Sequence, residues 1–129
     1  MIGEEVIMEG LISHFEQTDR EVFVEVPMLS KRIDVVLRKG DNIIAIEAKV
    51  KNWRRALQQA ISYRLCADEV FIAIWKDFTH RVDRQLLVEY GVGLIEMGEE
   101  PRVLINSQRS WVIHENVKRE VLISMGGPR

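Results

Sequence analysis

Apolar residues follow two different periods along the chain, and each period predicts its own kind of element. Residues 3–17 place apolar side chains at helical spacing, which predicts an amphipathic helix. Three runs rich in β-branched residues then predict strands at 21–28, 33–38 and 42–50. The last two runs flank Lys39-Gly40-Asp41, and Gly-Asp in a two-residue loop is typical of a tight hairpin.

Helices and strands continue to alternate in the second half of the chain. Helical spacing returns at residues 53–66, and the apolar run at 69–75 is typical of a strand covered on both faces. We expect Thr79 to cap a third helix that ends at Tyr90, where Gly91 would stop it. Two short strands and a closing helix complete the prediction, at 93–97, 102–106 and 117–125.

The predicted order is α-β-β-β-α-β, followed by a helix, two short strands and a helix. It favours an α/β fold, more closely an α+β mixed sheet with helices on both faces. The 129 residues match the usual size of one domain, with a core at 3–76 and a C-terminal extension at 77–129. With 47% hydrophobic and 29% charged residues, the composition is that of a globular protein rather than a disordered one.

Two features of the composition exclude whole classes of protein. Cys66 is the only cysteine, which excludes an internal disulfide and a zinc site built on several cysteines. A reducing, cytoplasmic setting is the simplest interpretation. No run of about 18 apolar residues occurs, so we expect no membrane-spanning segment.

The net charge of −2 conceals an uneven distribution. Residues 1–30 contain seven acidic residues and one basic residue, whereas residues 31–64 contain nine basic residues and three acidic ones. The second segment predicts a basic surface suited to a polyanionic partner. A solvated surface crossed by ion pairs explains the same charges equally well.

Candidate chemistry lies on the predicted hairpin. If Gly40 and Asp41 form the turn, Asp34 lies directly opposite Glu47, with their Cβ atoms about 5 Å apart. Lys49 projects from the same face as Glu47, because alternate residues of a strand share a face. Three charged side chains therefore meet on strands that are otherwise apolar.

Two opposed carboxylates repel each other, and one of them would take up a proton near neutral pH unless a cation lay between them. Mg²⁺ prefers carboxylate oxygens and keeps several of its waters. The Ala48 carbonyl could supply one further oxygen, and Lys49 could orient a water molecule that attacks a phosphate. A small structural ion-pair cluster of Asp34, Glu47 and Lys49 remains the alternative.

The next predicted helix adds a polar row to this region. Gln59 and Tyr63 are four residues apart and therefore lie on one face, with Arg55 one turn earlier. These side chains could bind phosphates or orient a water molecule. Taken alone, Gln59 and Tyr63 are better explained as an ordinary helix rim.

Together these residues resemble the PD-(D/E)xK nuclease superfamily. The similarity consists of Asp34, the triplet Glu47-Ala48-Lys49 and the pair Gln59-x-x-x-Tyr63, which resembles members with a Q-x-x-x-Y helix motif. It covers about the first 75 residues, and Ile33 stands where the family's name has proline.

The resemblance implies a restriction-endonuclease-like α-β-β-β-α-β core. It implies that Asp34 and Glu47 bind Mg²⁺ or Mn²⁺ and that Lys49 serves the nucleophilic water. It also implies that Gln59 and Tyr63 support the site or the DNA.

Many such nucleases add an acidic residue from the first helix. Glu4 lies near the centre of the apolar stripe of that helix, so we select Glu4 as a catalytic residue and Glu5 as the reserve. The alternative is that Glu4 only interacts favourably with the positive end of its helix.

The sequence therefore predicts a divalent-metal-dependent DNA endonuclease or exonuclease. With so short a chain, we expect it to be directed by DNA structure or by a partner rather than to read sequence. A homodimer and a protein partner that supplies specificity are further expectations. Trp53, Trp75 and Trp111 could stack bases, but core packing explains Trp53 better. Phosphate contacts are predicted from the basic residues around the site, namely Lys31, Arg32, Lys51, Arg54 and Arg55.

Two other function classes remain open. A catalytically inactive nucleic-acid-binding module with the same fold would keep the basic surface but bind no metal through its carboxylates. An interaction or scaffold protein would explain the basic surface and leave the opposed acids without a purpose.

Overall fold

The computed structural model describes residues 2–129. The described residues contain four α-helices, six strands and a short 3₁₀-helix (Thr79–Arg81). In chain order the other elements are α1 (Glu4–Phe15), β1 (Glu21–Met28), β2 (Lys31–Lys39), β3 (Asn42–Lys49), α2 (Trp53–Tyr63), β4 (Glu69–Trp75), α3 (Arg84–Tyr90), β5 (Gly93–Met97), β6 (Arg102–Ile105) and α4 (Glu115–Ser124).

All six strands form one mixed sheet in the sequential order β1-β2-β3-β4-β5-β6. The β1–β2, β2–β3 and β5–β6 pairs are antiparallel, whereas β3–β4 and β4–β5 are parallel. The predicted fold class is confirmed: this is a restriction-endonuclease-like α/β core with helices on both faces. The segment from residue 77 onward contributes two strands to the same sheet.

Each face of the sheet has its own apolar cluster. Ile7 and Leu11 of α1 pack with Val35 and Ile46 on one face. The other face carries the larger cluster, which includes residues of α2, α3 and α4. No helix of the described residues has the length and apolar character needed to cross a bilayer.

The predicted hairpin register is confirmed near the turn. Lys39 pairs with Asn42, and the ladder continues in step to Val35 opposite Ile46. Gly40 has a φ of +59°, a conformation that glycine adopts without a steric penalty. The turn therefore sets the alignment that brings residues 34 and 47 to the same level of the sheet.

Beyond Val35 the regular ladder ends. Val24 pairs with Val35 and Val26 with Ile33, but Glu25 and Asp34 between them are unpaired, and Glu25 has a φ of +50°. A regular strand would place residues 33 and 35 on one face, whereas Ile33 and Val35 pack into opposite clusters. The sheet is thus locally distorted at Asp34. The β2–β3 ladder also stops at Val35 and Ile46, and we call this break in the ladder the gap.

Two predicted helix boundaries are wrong by three residues or more, and the other differences are of one or two residues. Thr79 does not cap α3; its hydroxyl donates to Glu96 Oε2 at 2.6 Å, and the helix begins at Arg84 after Asp83, whose side chain accepts from Leu86 N–H. Aspartate caps a helix as well as threonine does, so the sequence alone does not decide between Thr79 and Asp83 as the capping residue. The second helix ends at Tyr63 rather than at residue 66. Gly91 stops α3 as predicted, with a φ of +68°.

Candidate active site

Asp34 reaches across the gap between β2 and β3. Its Oδ2 accepts the backbone N–H of Ala48 at 2.9 Å, so a side chain replaces the missing main-chain partner of β3. The predicted regular pairing of Asp34 with Glu47 is therefore absent from the ladder. The two carboxyl groups nevertheless lie close enough for each to shift the pKa of the other.

Glu47 is the more buried of the two acids, with only 5% of its surface exposed. Burial raises its pKa to about 7, and the neighbouring Asp34 carboxylate adds to this rise, while the Tyr63 hydroxyl and Lys49 oppose it. Burial also raises the pKa of Asp34, against the lowering effect of the Ala48 amide. Near neutral pH the pair therefore tends to share a proton unless a cation is present.

Tyr63 connects α2 to the acids. Its hydroxyl donates to Glu47 Oε1 at 2.7 Å and also lies 3.0 Å from the carbonyl oxygen of Arg32. The phenol is 1% exposed, and burial together with the Glu47 carboxylate raises its pKa. Tyr63 is thus a neutral donor that fixes the orientation of Glu47.

Lys49 stands at the mouth of the site, 29% exposed, and its Nζ lies 3.0 Å from Glu4 Oε1. Glu4 is thereby held beside the site by an ion pair. An open pocket of about 240 Å³ lies at this ion pair and is lined by Glu4, Met8, Glu25, Asp34, Ala48 and Lys49, but not by Glu47. Glu5, the reserve choice, is exposed and does not line this pocket.

Glu25 is a lining residue that sequence reasoning missed. It lies in the middle of β1, has a positive φ of +50° at the sheet distortion, and lines the pocket. Nothing in the local sequence signals this conformation, because glutamate rarely adopts it.

The remaining predicted site residues lie around this centre at different distances. Gln59 is half-buried on α2, and among the described residues its side chain forms no hydrogen bond. Lys31, Arg32 and Lys51 are exposed near the strand ends. Arg54 lies over the Trp53 ring at 4.5 Å and Arg55 is exposed at the start of α2.

Two bases of the predicted basic surface are not on the surface. Arg38 is fully buried and Arg64 is 7% exposed. Arg38 binds main-chain carbonyls near the C-terminus, and Arg64 stacks on Trp111 at 4.4 Å. Both partners are distant in sequence, so the charge count overstated the basic surface.

The oxygen donors of the gap fit a hard divalent cation. Each acid uses one carboxylate oxygen in the hydrogen bonds described above. Both main-chain groups of a strand residue point to the same side, so the Ala48 carbonyl faces the gap with its N–H. Within residues 2–129 no cluster of three or more His, Cys, Asp or Glu side chains could hold a metal, so Glu4 adds no third ligand. Two carboxylates and several waters suffice for Mg²⁺.

Three solved structures share this fold. A protein of unknown function from Silicibacter pomeroyi superposes with a TM-score of 0.76 at 15% identity, over 98% of this chain and 85% of that one. EndoMS in complex with double-stranded DNA superposes with a TM-score of 0.51 at 22% identity, over 79% of this chain and 46% of that one. A repair endonuclease from Pyrococcus abyssi superposes with a TM-score of 0.51 at 20% identity, over 79% of this chain and 49% of that one.

These likenesses establish the fold. The chain spans about half the length of the two endonucleases. Neither a family model nor a curated protein matches the sequence.

Proposed function

We propose that this protein is a divalent-metal-dependent nuclease that hydrolyses phosphodiester bonds in DNA. The observation that carries the proposal is the pair of facing carboxylates, Asp34 and Glu47, in a gap of the sheet beside Lys49. This pair supports the proposal because two neighbouring carboxylates repel each other and only one base, Lys49, lies beside them. A purely structural cluster seldom buries two acids against one base. The fold shared with two endonucleases is consistent with it.

Asp34, Glu47 and the Ala48 carbonyl would hold Mg²⁺ or Mn²⁺. When bound, such an ion supplies a nucleophilic water at neutral pH and offsets charge on the phosphate. Hydrolysis forms a bond from the water oxygen to phosphorus and breaks one ester P–O bond, and the leaving oxygen takes a proton. No other cofactor is needed for this balance.

The chain's own side chains have separate tasks in this reaction. Lys49 would donate hydrogen bonds to the water or to a phosphate oxygen, and its ammonium would stabilise the developing negative charge. Glu4 positions that ammonium through their ion pair. Tyr63 positions Glu47, and Gln59 is free to turn toward a bound strand.

The basic residues near the strand ends would bind the DNA backbone. Lys31, Arg32 and Lys51 are exposed close to the gap, which suits phosphate contacts without base reading. We therefore expect an affinity that falls steeply as salt rises. Recognition of DNA structure, or delivery by a partner, follows from this sequence-independent contact.

Cleavage of linear, branched and single-stranded DNA in Mg²⁺ tests the proposal. We expect wild-type protein to cut at least one of these substrates and Lys49→Met to lose the activity. Lys39→Met is the matched control, because Lys39 is an exposed lysine of the same hairpin that pairs with Asp19 at the opposite end. Cleavage that survives in Lys49→Met would contradict the proposal.

Calorimetric titration with Mn²⁺ separates an enzyme from an inactive DNA-binding module. A nuclease should bind the ion, and Asp34→Asn should abolish the binding signal. A protein that binds DNA but gives no carboxylate-dependent signal would belong to the inactive class.

A further inference from the structure

A second pocket, of about 420 Å³, lies at the C-terminal ends of β3 and β4. Its lining is mostly apolar, with polar groups at the rim, and consists of Ile2, Val50, Lys51, Trp75, Asp77 and Phe78. None of the proposed catalytic residues lines it. Its size is within the range of pockets that enclose small organic groups.

The fold places this pocket next to the proposed active site. Val50 and Lys51 directly follow Lys49 along the chain, and Trp75 at the end of β4 donates its backbone N–H to the Val50 carbonyl at 3.1 Å. Ile2 lies two residues before Glu4, the partner of Lys49. The two pockets are therefore lined by neighbouring residues of the same two segments, Glu4 and Lys49 in the first pocket and Ile2 and Val50 in the second.

The chemistry of the pocket suits a planar aromatic ring attached to a phosphate chain. Trp75 and Phe78 are only partly buried and offer ring surface for stacking. Asp77 is exposed and could accept a hydrogen bond from a base amino or imino group. Lys51 at the rim and Lys76, whose ammonium lies 5.9 Å from the Trp75 ring centre, supply positive charge for the backbone.

We propose that this pocket, which we call the Trp75 pocket, binds an unpaired nucleobase of the DNA strand next to the cleaved phosphodiester bond. The inference rests on the proposed nuclease function and names its substrate class. A base can enter such a pocket only when it is unpaired, so single-stranded or extrahelical nucleotides are the expected substrates.

Binding without metal tests the pocket separately from catalysis. Fluorescence anisotropy in EDTA compares a short thymidine oligonucleotide with a chain of equal length whose inner nucleotides are abasic. We expect wild type to prefer the base-containing chain about tenfold, and Trp75→Ala to remove this preference while abasic binding stays unchanged. Trp75→Phe should keep most of it, since a phenyl ring also stacks.

Two further variants make the test robust. Trp111→Ala is the matched control, because Trp111 is 67% exposed and stacks on Arg64, outside both pockets. Should Trp75→Ala fail to fold, Phe78→Ala removes the other aromatic wall and should give the same loss of preference.

The outcomes distinguish this inference from the proposed function. A wild type that cuts DNA but binds both chains equally overturns the pocket and leaves the nuclease standing. Equal loss of preference in Trp111→Ala also overturns it. A wild type that neither cuts nor binds DNA refutes the proposed function.

Discussion

Strand β2 carries two charged side chains with different surroundings, Asp34 near its middle and Arg38 near its C-terminal end. Arg38 is fully buried, and its guanidinium donates to the carbonyls of Gly40, Leu122, Met125 and Gly127. Asp34 has one amide partner and faces a second acid, Glu47.

The difference separates a structural charge from a functional one. A buried cation surrounded by carbonyl oxygens has its hydrogen-bonding capacity filled and holds the C-terminal segment to the sheet. Two facing acids in a gap each keep a carboxylate oxygen without a hydrogen-bond partner among the described residues, and their pKa values are raised. Ionising both of them lowers the stability of the fold when no cation is present. Natural proteins retain such groups where they bind or react.

The largest expected effect is the loss of activity in Asp34→Asn. We expect cleavage to fall by about a thousandfold, since the variant removes one of two anionic ligands. Its free energy of unfolding should stay equal or rise, because asparagine can still accept the Ala48 N–H and no longer repels Glu47. Cleavage rates and urea denaturation give the two readouts.

Asp19→Asn is the matched control for this variant. Asp19 is an exposed acid that pairs with Lys39 away from the gap, so its neutralisation should leave cleavage unchanged. If Asp34→Asn were instead destabilised and fully active, Asp34 would belong with Arg38 as a structural charge.

The reverse pattern is expected for Arg38→Met. The methionine would leave buried carbonyls without a donor, so we expect the free energy of unfolding to fall by about 3 kcal/mol. Activity per folded molecule should persist, because Arg38 lies outside the site. Urea denaturation measures the loss, and Arg84→Met, at an exposed arginine of α3, should change stability little.

The local sequence pattern predicted the surroundings of Asp34 better than those of Arg38. The Gly40-Asp41 turn and the two-residue strand period were enough to bring Asp34, Glu47 and Lys49 to one region. Three of the carbonyl partners of Arg38 lie more than eighty residues later in the chain, so the local sequence does not mark it as buried. The positive φ of Glu25 was equally invisible, because it arises from the distortion of the sheet.

The third prediction concerns pH. The folded-state pKa of Glu47 is about 7, above its ordinary value of 4.5, so the folded protein binds this proton more tightly than the unfolded chain. Its contribution to stability is present below about pH 4.5 and is lost as pH rises to about 7. We expect a decrease on the order of 2 kcal/mol in the free energy of unfolding over this interval.

Glu47→Gln and metal ions sharpen the pH prediction. The glutamine variant should lose most of the decrease between about pH 4.5 and 7, because it has no proton to release. Mg²⁺ at about pH 8 should raise the melting temperature of wild type and not of the variant. A wild type whose stability is flat with pH would mean that the acids are solvated and not in contact.

The smallest effect is expected for Tyr63→Phe. The variant deletes the hydroxyl that donates to Glu47 Oε1, so we expect a loss of about 1 kcal/mol near pH 8, where Glu47 is ionised. Near pH 4 the loss should shrink, because a protonated Glu47 depends less on this donor. Tyr90→Phe, at a tyrosine that is 41% exposed, is the control. An equal loss at both pH values would show that the hydroxyl acts through the Arg32 carbonyl and not through Glu47, since only its bond to an ionised partner can make the loss depend on pH.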